Sequence, residues 1–270
     1  MALGKSLISS ILSKYISEKN KRILLIDFDI FNSNINTIFG VKKYVKNSQK
    51  NNTKNDEKNE QKNNNFFNKN NLKKEEKINQ KNIEKKDIFF SKNDENNLIK
   101  NDKKINLNNY IFSINKNLNL FLKINEVIDA EGNIDLIKIK NILNILKNEY
   151  DFIIIDTSSR IEFKYVKLVL STVDKIIFLI EPNILEIQKS KNLLDVFIRE
   201  WEIDVDKIKI VFNKTNKYEI AKSILEEIFS EIEIIGNIEY EEKYSLFINK
   251  NSNCFLENNE YENIYQKINV

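Results

Sequence analysis

Five times along this chain, a stretch whose apolar residues recur every three or four positions gives way to a short run that is apolar without interruption. "SLISSILSKYISEK" precedes "RILLID", "LIKIKNILNILKNEY" precedes "FIIID", and "FKYVKLVLSTV" precedes "KIIFLIEP"; "ILEIQKSKNLLDVFIREW" then leads to "KIKIVFNK", and "YEIAKSILEEIF" to "EIIGNI". The spacing at Leu7, Ile8, Ile11, Leu12, Tyr15 and Ile16 makes one apolar helix face. A continuous apolar run has no wet side, so it belongs to a strand covered above and below. Helix and covered strand in alternation predict an α/β fold, a mostly parallel sheet with helices on both faces in three layers. "YIFSI" and "LNLFLKI" would add an edge hairpin or an extra strand.

One segment breaks the rhythm. Residues 41–110 hold 20 Asn and 18 Lys, with scattered apolar residues and neither helical nor alternating period. Such a segment cannot bury enough surface to offset an ordering cost of roughly 1 to 2 kcal/mol per residue, so disorder or transient helix is expected. Its 18 Lys stand against 10 acids, a net +8; the whole chain carries +3, which leaves the other 200 residues at −5. The division expected is 1–40 as the first part of one domain, 41–110 as a low-complexity insertion, 111–250 as the remainder and 251–270 as a tail.

The inventory excludes several chemistries. With no histidine, the chain can build no Ser/His/Asp triad, no Cys/His pair and no histidine-ligated zinc site. The single Cys254 excludes an internal disulfide framework and fits a reducing, cytoplasmic setting. No apolar run reaches the ~20 residues of an integral membrane segment. The basic insertion would attract nucleic acid or anionic lipid only through a salt-sensitive, sequence-independent contact. Its interleaved acids read more simply as a solvated mixed-charge loop, so nucleic acid is not the expected partner.

In open α/β sheets ligands bind beyond the carboxyl ends of the strands. There the sequence becomes specific. The run ending at Ile26 is followed by Asp27-Phe28-Asp29, and the run ending at Ile155 by Asp156-Thr157-Ser158-Ser159. The chain also opens on Gly4-Lys5-Ser6 at the start of a helix, the tail of a GxxxxGK[ST] phosphate loop. A lysine there meets phosphate oxygens, a hydroxyl offers a magnesium ligand, and an acid after a strand holds the metal's water shell. The helix N-terminus adds its free N–H groups. Each element alone is weak; the order GKS, helix, apolar strand, DxD, second apolar strand with D-T is much more specific.

On these residues the chain resembles the MinD/ParA family of P-loop ATPases with a deviant Walker A motif, and among them the CpaE/TadZ relatives associated with pilus assembly and cell-pole positioning. The resemblance covers residues 3–41 and roughly 118–250. "RILLIDFDIFNSNINTIFG" is similar to the family's second strand and loop, "EYDFIIIDTSS" to its Walker B segment, "VDKIIFLIEPNILEIQKSKNLL" to the strand and helix that follow, and "IKIVFNK" to the strand that approaches the adenine. It implies that Lys5 binds phosphate, that Ser6 ligates magnesium, and that Gly4 belongs to the phosphate loop. Asp29 would orient the attacking water, Asp27 and Asp156 would support the metal through its waters, Asn213 would lie beside the base, and Asn34 would reach phosphate across the loop.

The resemblance therefore implies ATP and Mg2+ as cofactors, an ATP-dependent homodimer that slow hydrolysis releases, and a protein partner from a pilus, secretion or positioning system. The family has a first strand, glycines and a signature lysine ahead of GK[ST], whereas Met1 and Ala2 stand in the glycine places. The chain thus reads as N-terminally truncated at its phosphate loop, or as a diverged member that works without hydrolysis. Glu239 stands where the family usually has proline. The tail "LENNEYENIYQKINV" reads as acidic or neutral with little amphipathic character, against direct membrane attachment. Two other readings stay open: a non-catalytic scaffold on the same fold, and a receiver-like signalling domain using Asp156 and Lys214, which "IIFLIEPN" fits poorly.

Overall fold

The computed structural model describes residues 3–29, 34–41, 107, 110–122, 127, 134–215, 220–240 and 259–269. Helix α1 (Leu3–Glu18) runs into β1 (Ile23–Phe28), and a short α2 (Ile35–Ile38) ends at Gly40, whose φ of 64° suits a residue without a Cβ. Strands β2 (Ile111–Ser113) and β3 (Leu118–Phe121) follow, then α3 (Leu136–Leu146) and β4 (Phe152–Thr157). After these come α4 (Lys164–Thr172), β5 (Ile176–Ile180) and α5 (Ile184–Asp195), the last widening into a π turn over Val196–Glu200. The chain closes with β6 (Ile208–Thr215), α6 (Lys222–Ile228), β7 (Glu233–Glu239) and α7 (Asn259–Ile268). The Asn/Lys-rich stretch lies outside the described residues apart from Val41, Leu107 and Tyr110.

The continuous apolar runs become covered strands for the reason their composition gives. Along β1, Leu24, Ile26 and Phe28 point into one cluster with residues of α3, α4, α5 and α6. Ile23 and Leu25 point into the other, with α1, α2 and α7. Period two along the strand thus feeds two dry faces, and β1 is fully buried from Ile23 to Ile26. β1 pairs in parallel with β3 on one side and β4 on the other, Ile23 lying opposite both Leu118 and Phe152. β2 pairs antiparallel with β3, so "YIFSI" and "LNLFLKI" form the expected edge hairpin.

The strands fall into two ladders, β2-β3-β1-β4 and a parallel β5-β6-β7. Both belong to one layer, because each cluster draws residues from both: Leu24 and Ile26 share a core with Ile208 and Ile210, and Ile23 and Leu25 share the other with Val211 and Ile235. Among the described residues no ladder joins β4 to β5. The apolar residues Ile153 to Ile155 and Ile177 to Leu179, along those two strands, are accordingly only half-buried.

The C-terminal segment differs from the sequence expectation. Residues 259–268 form an amphipathic helix whose Tyr261, Ile264 and Tyr265 are buried against α1 and β7. Those three positions, spaced three and then one apart, lie on one helical face; Glu260 and Glu262 on either side of Tyr261 mask the pattern in a composition average.

Ile16 lies in the last turn of α1 with no exposed surface, in the cluster that α1 shares with β1 and α7. Ile16→Ala removes three buried carbons where three elements meet and is expected to cost about 2 to 5 kcal/mol. Chemical denaturation checks this, and a midpoint shift equivalent to less than about 1 kcal/mol would show that α1 is not a core element.

Candidate functional site

The first turn of α1 lies over the carboxyl ends of β1, β4 and β6. Ser6 Oγ donates a 2.5 Å hydrogen bond to Asp156 Oδ2 across 150 residues of sequence. Asp156 in β4 stands opposite Asp27 in β1 in the parallel register, so two neighbouring strands present carboxylates side by side. Asp29 follows one residue past β1. All four groups are nearly dry, with exposures of 4% for Ser6, 3% for Asp27, 7% for Asp29 and 2% for Asp156. The Ile35 N–H at the start of α2 donates to Asp27 Oδ2 at 3.3 Å, which ties the turn after β1 back to the same point.

Electrostatics follow from that crowding. Burial pushes the Asp156 carboxyl up from 3.8 to about 7, and the neighbouring charges of Asp27 and Asp29 push in the same direction. The Ser6 hydrogen bond and the Lys5 ammonium oppose them. Three buried acids beside one half-buried lysine form a site short of positive charge, which suits a divalent cation. Among the described residues no three Cys, Asp or Glu side chains are grouped to cage a metal directly. The donor set is instead one hydroxyl with carboxylates nearby, the form that suits magnesium, which keeps several of its waters.

A second side of the site comes from β6. A Cβ built on Gly4 would stand 3.0 Å from the Asn213 amide nitrogen, so any side chain here would press that amide aside by a few tenths of an ångström. Asn213 is itself buried. Asn34 immediately precedes α2, its carbonyl accepting the N–H groups of Thr37 and Ile38 at 3.0 and 3.1 Å. The predicted site residues Gly4, Lys5, Ser6, Asp27, Asp29, Asp156 and Asn213 thus gather at one rim, with Asn34 beside the turn next to Asp27. Ser158, Glu181 and Lys214 also stand there. Ser158 is buried and accepts from the Arg160 N–H at 3.3 Å. Ser158 and Glu181 each follow a strand directly, the same kind of position that singled out the predicted acids.

The model of the CobQ/CobB/MinD/ParA nucleotide-binding domain family matches residues 3–253. The chain belongs to that family. Among solved structures it is similar to MinD in the MinC:MinD cell division complex of Aquifex aeolicus, at 16% identity and a TM-score of 0.64, covering 98% of this chain and 90% of that one. It is similar to a ParA family ATPase from Chlorobium tepidum at 16% identity and 0.61, covering 97% and 92%. It is also similar to the septum site-determining protein MinD of Pyrococcus horikoshii, complexed with Mg-ADP, at 14% identity and 0.61, covering 98% and 90%. At these identities the likeness shows the MinD/ParA fold. No curated protein matches the chain with significance.

Because folding raises the Asp156 pKa, the folded chain holds a proton that the unfolded chain releases between pH 3.8 and about 7. The stability from this group is complete below that window and is lost as pH rises through 7. Asp156→Asn is therefore expected to stabilise the metal-free chain at pH 8 by roughly 2 to 4 kcal/mol, from 1.36 kcal/mol per pKa unit. It should also flatten the pH dependence of unfolding in that window. A variant less stable at pH 8 with an unaltered slope would contradict the assignment.

Proposed function

We propose that this protein is an ATP-binding, nucleotide-dependent dimeric switch of the MinD/ParA type. The observation that carries the reading is the Ser6 hydroxyl hydrogen-bonded to Asp156 inside a buried acidic cluster at a helix N-terminus. A magnesium ion bound with ATP would supply positive charge to the phosphates and to these carboxylates. Ser6 would release Asp156 and turn its oxygen lone pairs to the metal, and Asp27 and Asp156 would accept hydrogen bonds from the metal's waters. Lys5 would hold phosphate oxygens as a point charge, joined by the N–H groups of the first turn of α1 and by Asn34 across the loop. Asp29, one residue beyond β1, would orient the attacking water, and Asn213 would meet the base.

The domain reading that goes with this function joins residues 1–40 and 111–250 into one ATPase unit, with 41–110 inserted and 251–270 following. The likeness of "RILLIDFDIFNSNINTIFG" and "EYDFIIIDTSS" to the CpaE/TadZ group supports a cytoplasmic role in pilus, secretion or cell-pole positioning. The related MinD of Aquifex aeolicus assembles with MinC, and a protein partner is proposed for this chain by analogy. Among the described residues no helix is long and apolar enough to cross a membrane. Membership of the nucleotide-binding family displaces the receiver-like reading.

Calorimetric titration with MgATP tests the proposal. The unaltered chain is expected to bind, and Lys5→Ala to weaken binding by roughly 10- to 100-fold, the equivalent of one charge-assisted hydrogen bond of about 1.5 to 3 kcal/mol. Light scattering should then show dimers with MgATP that dissociate as phosphate is released. A chain that binds no MgATP would overturn the proposal and leave the scaffold reading.

A further inference from the structure

One segment of the rim is built in a way that regular strand geometry does not require. β6 and β7 pair in parallel up to Asn213 opposite Ile238, and resume at Thr215 opposite Glu239. Lys214 is the extra residue, a bulge, and its φ of 60° lies in the left-handed region that lysine seldom adopts. A bulge beside a functional site re-aims the neighbouring side chain. Here the neighbour is Asn213, whose buried amide packs against Gly4.

The lysine at the bulge is held from the next strand. Lys214 Nζ forms an ion pair with Glu181, the residue that follows β5. Because Ile180 stands opposite Phe212, Glu181 comes level with Asn213. Glu181 is fixed by a tight turn: its carbonyl accepts the Asn183 N–H at 2.8 Å, Pro182 restricts the backbone between them, and Asn183 caps α5 through the Glu186 N–H. The half-exposed Glu181–Lys214 pair thus ties the end of β5 to the bulge, one residue from Asn213. Backbone strain retained at a ligand rim is an indicator of function.

Placement says which part of a ligand this device serves. Ser6, Asp27, Asp29 and Asp156 come from α1, β1 and β4, whereas Asn213 comes from β6, in the other ladder, across Gly4 from them. We propose that Glu181 and Lys214 are positioning residues of the nucleotide site, holding Asn213 against Gly4 so that the site grips the nucleoside end of its ligand independently of the phosphates. This rests on the nucleotide-binding reading given above.

The experiment compares MgATP with magnesium tripolyphosphate, which has the phosphates and no nucleoside, on the full chain. Glu181→Gln and Lys214→Ala are each expected to weaken ATP binding roughly tenfold, the equivalent of one hydrogen bond misplaced, and to leave tripolyphosphate affinity unchanged. Lys214→Arg, which keeps the charge, should restore most of the ATP affinity. In Asn213→Ala the further change Glu181→Gln should have no added effect, since both act through one side chain. Equal losses for both ligands, no loss for either, or additive effects in the double variant would overturn the proposal while leaving the nucleotide site intact. Failure of the unaltered chain to bind ATP, or Lys5→Ala binding it as well as the unaltered chain, would overturn the nucleotide site and this inference together.

Discussion

A strand that is dry on both faces leaves its polar chemistry one place to emerge, and β1 is such a strand. From Ile23 to Ile26 every side chain is apolar and fully buried, because helices cover the strand above and below. Polar groups appear only as the strand ends, at Asp27 and Asp29, and the parallel pairing with β4 places Asp156 level with Asp27. Covering the second face requires α1, and the same packing that seats Leu12 and Ile16 on β1 carries Ser6 to Asp156. Core and site are thus consequences of one burial constraint.

The cost of this arrangement is concentrated in a few groups. Two carboxylates on adjacent strands repel each other, and burial removes the water that would screen them. The chain relieves this by letting Asp156 keep its proton until about pH 7 and by donating the Ser6 hydroxyl to it. The other serines on α1 show the contrasting case. Ser10 and Ser13 are buried yet hydrogen-bond the carbonyls of Ser6 and Ser9 within the helix at 2.6 and 2.7 Å, so their hydroxyls are satisfied locally. Ser6 alone among these three reaches across the fold.

The architecture was legible because its signals are local. Period-three-and-four helices and unbroken apolar strands announce themselves within a dozen residues, and the positions of Asp27, Asp29 and Asp156 follow once strand ends are known. The split between two ladders was not legible, since pairing partners are set by contacts far apart in sequence. Nor was the bulge at Lys214: the run "KIKIVFNKT" gives no glycine or asparagine at that position to mark a left-handed residue. Helix α7 escaped notice for a different reason. Its apolar face is narrow, and the acids flanking Tyr261 dominate any average over the segment.

That helix completes the logic of the sheet. Among the described residues β7 is an edge strand, and an edge with open N–H groups is a template for unwanted pairing. α7 covers it with side chains as well as surface: Glu260 accepts the Asn237 N–H at 3.3 Å, Lys267 pairs with Glu233 at 2.8 Å, and Ile264 packs where a side chain at Gly236 would otherwise stand. The ties from α7 to α1 are of unequal weight. Lys19 and Tyr15 both engage Glu262 and hold its carboxyl well down, at about 2, but Lys19 and Glu262 are open to solvent, where screening makes such pairs weak. Tyr261, Ile264 and Tyr265, all buried, supply the greater part of the attachment through area removed from water. Apolar contact therefore anchors α1 along its length, from Leu7 and Ile8 to Tyr15 and Ile16, and at the site end the Ser6 hydroxyl adds its hydrogen bond to Asp156.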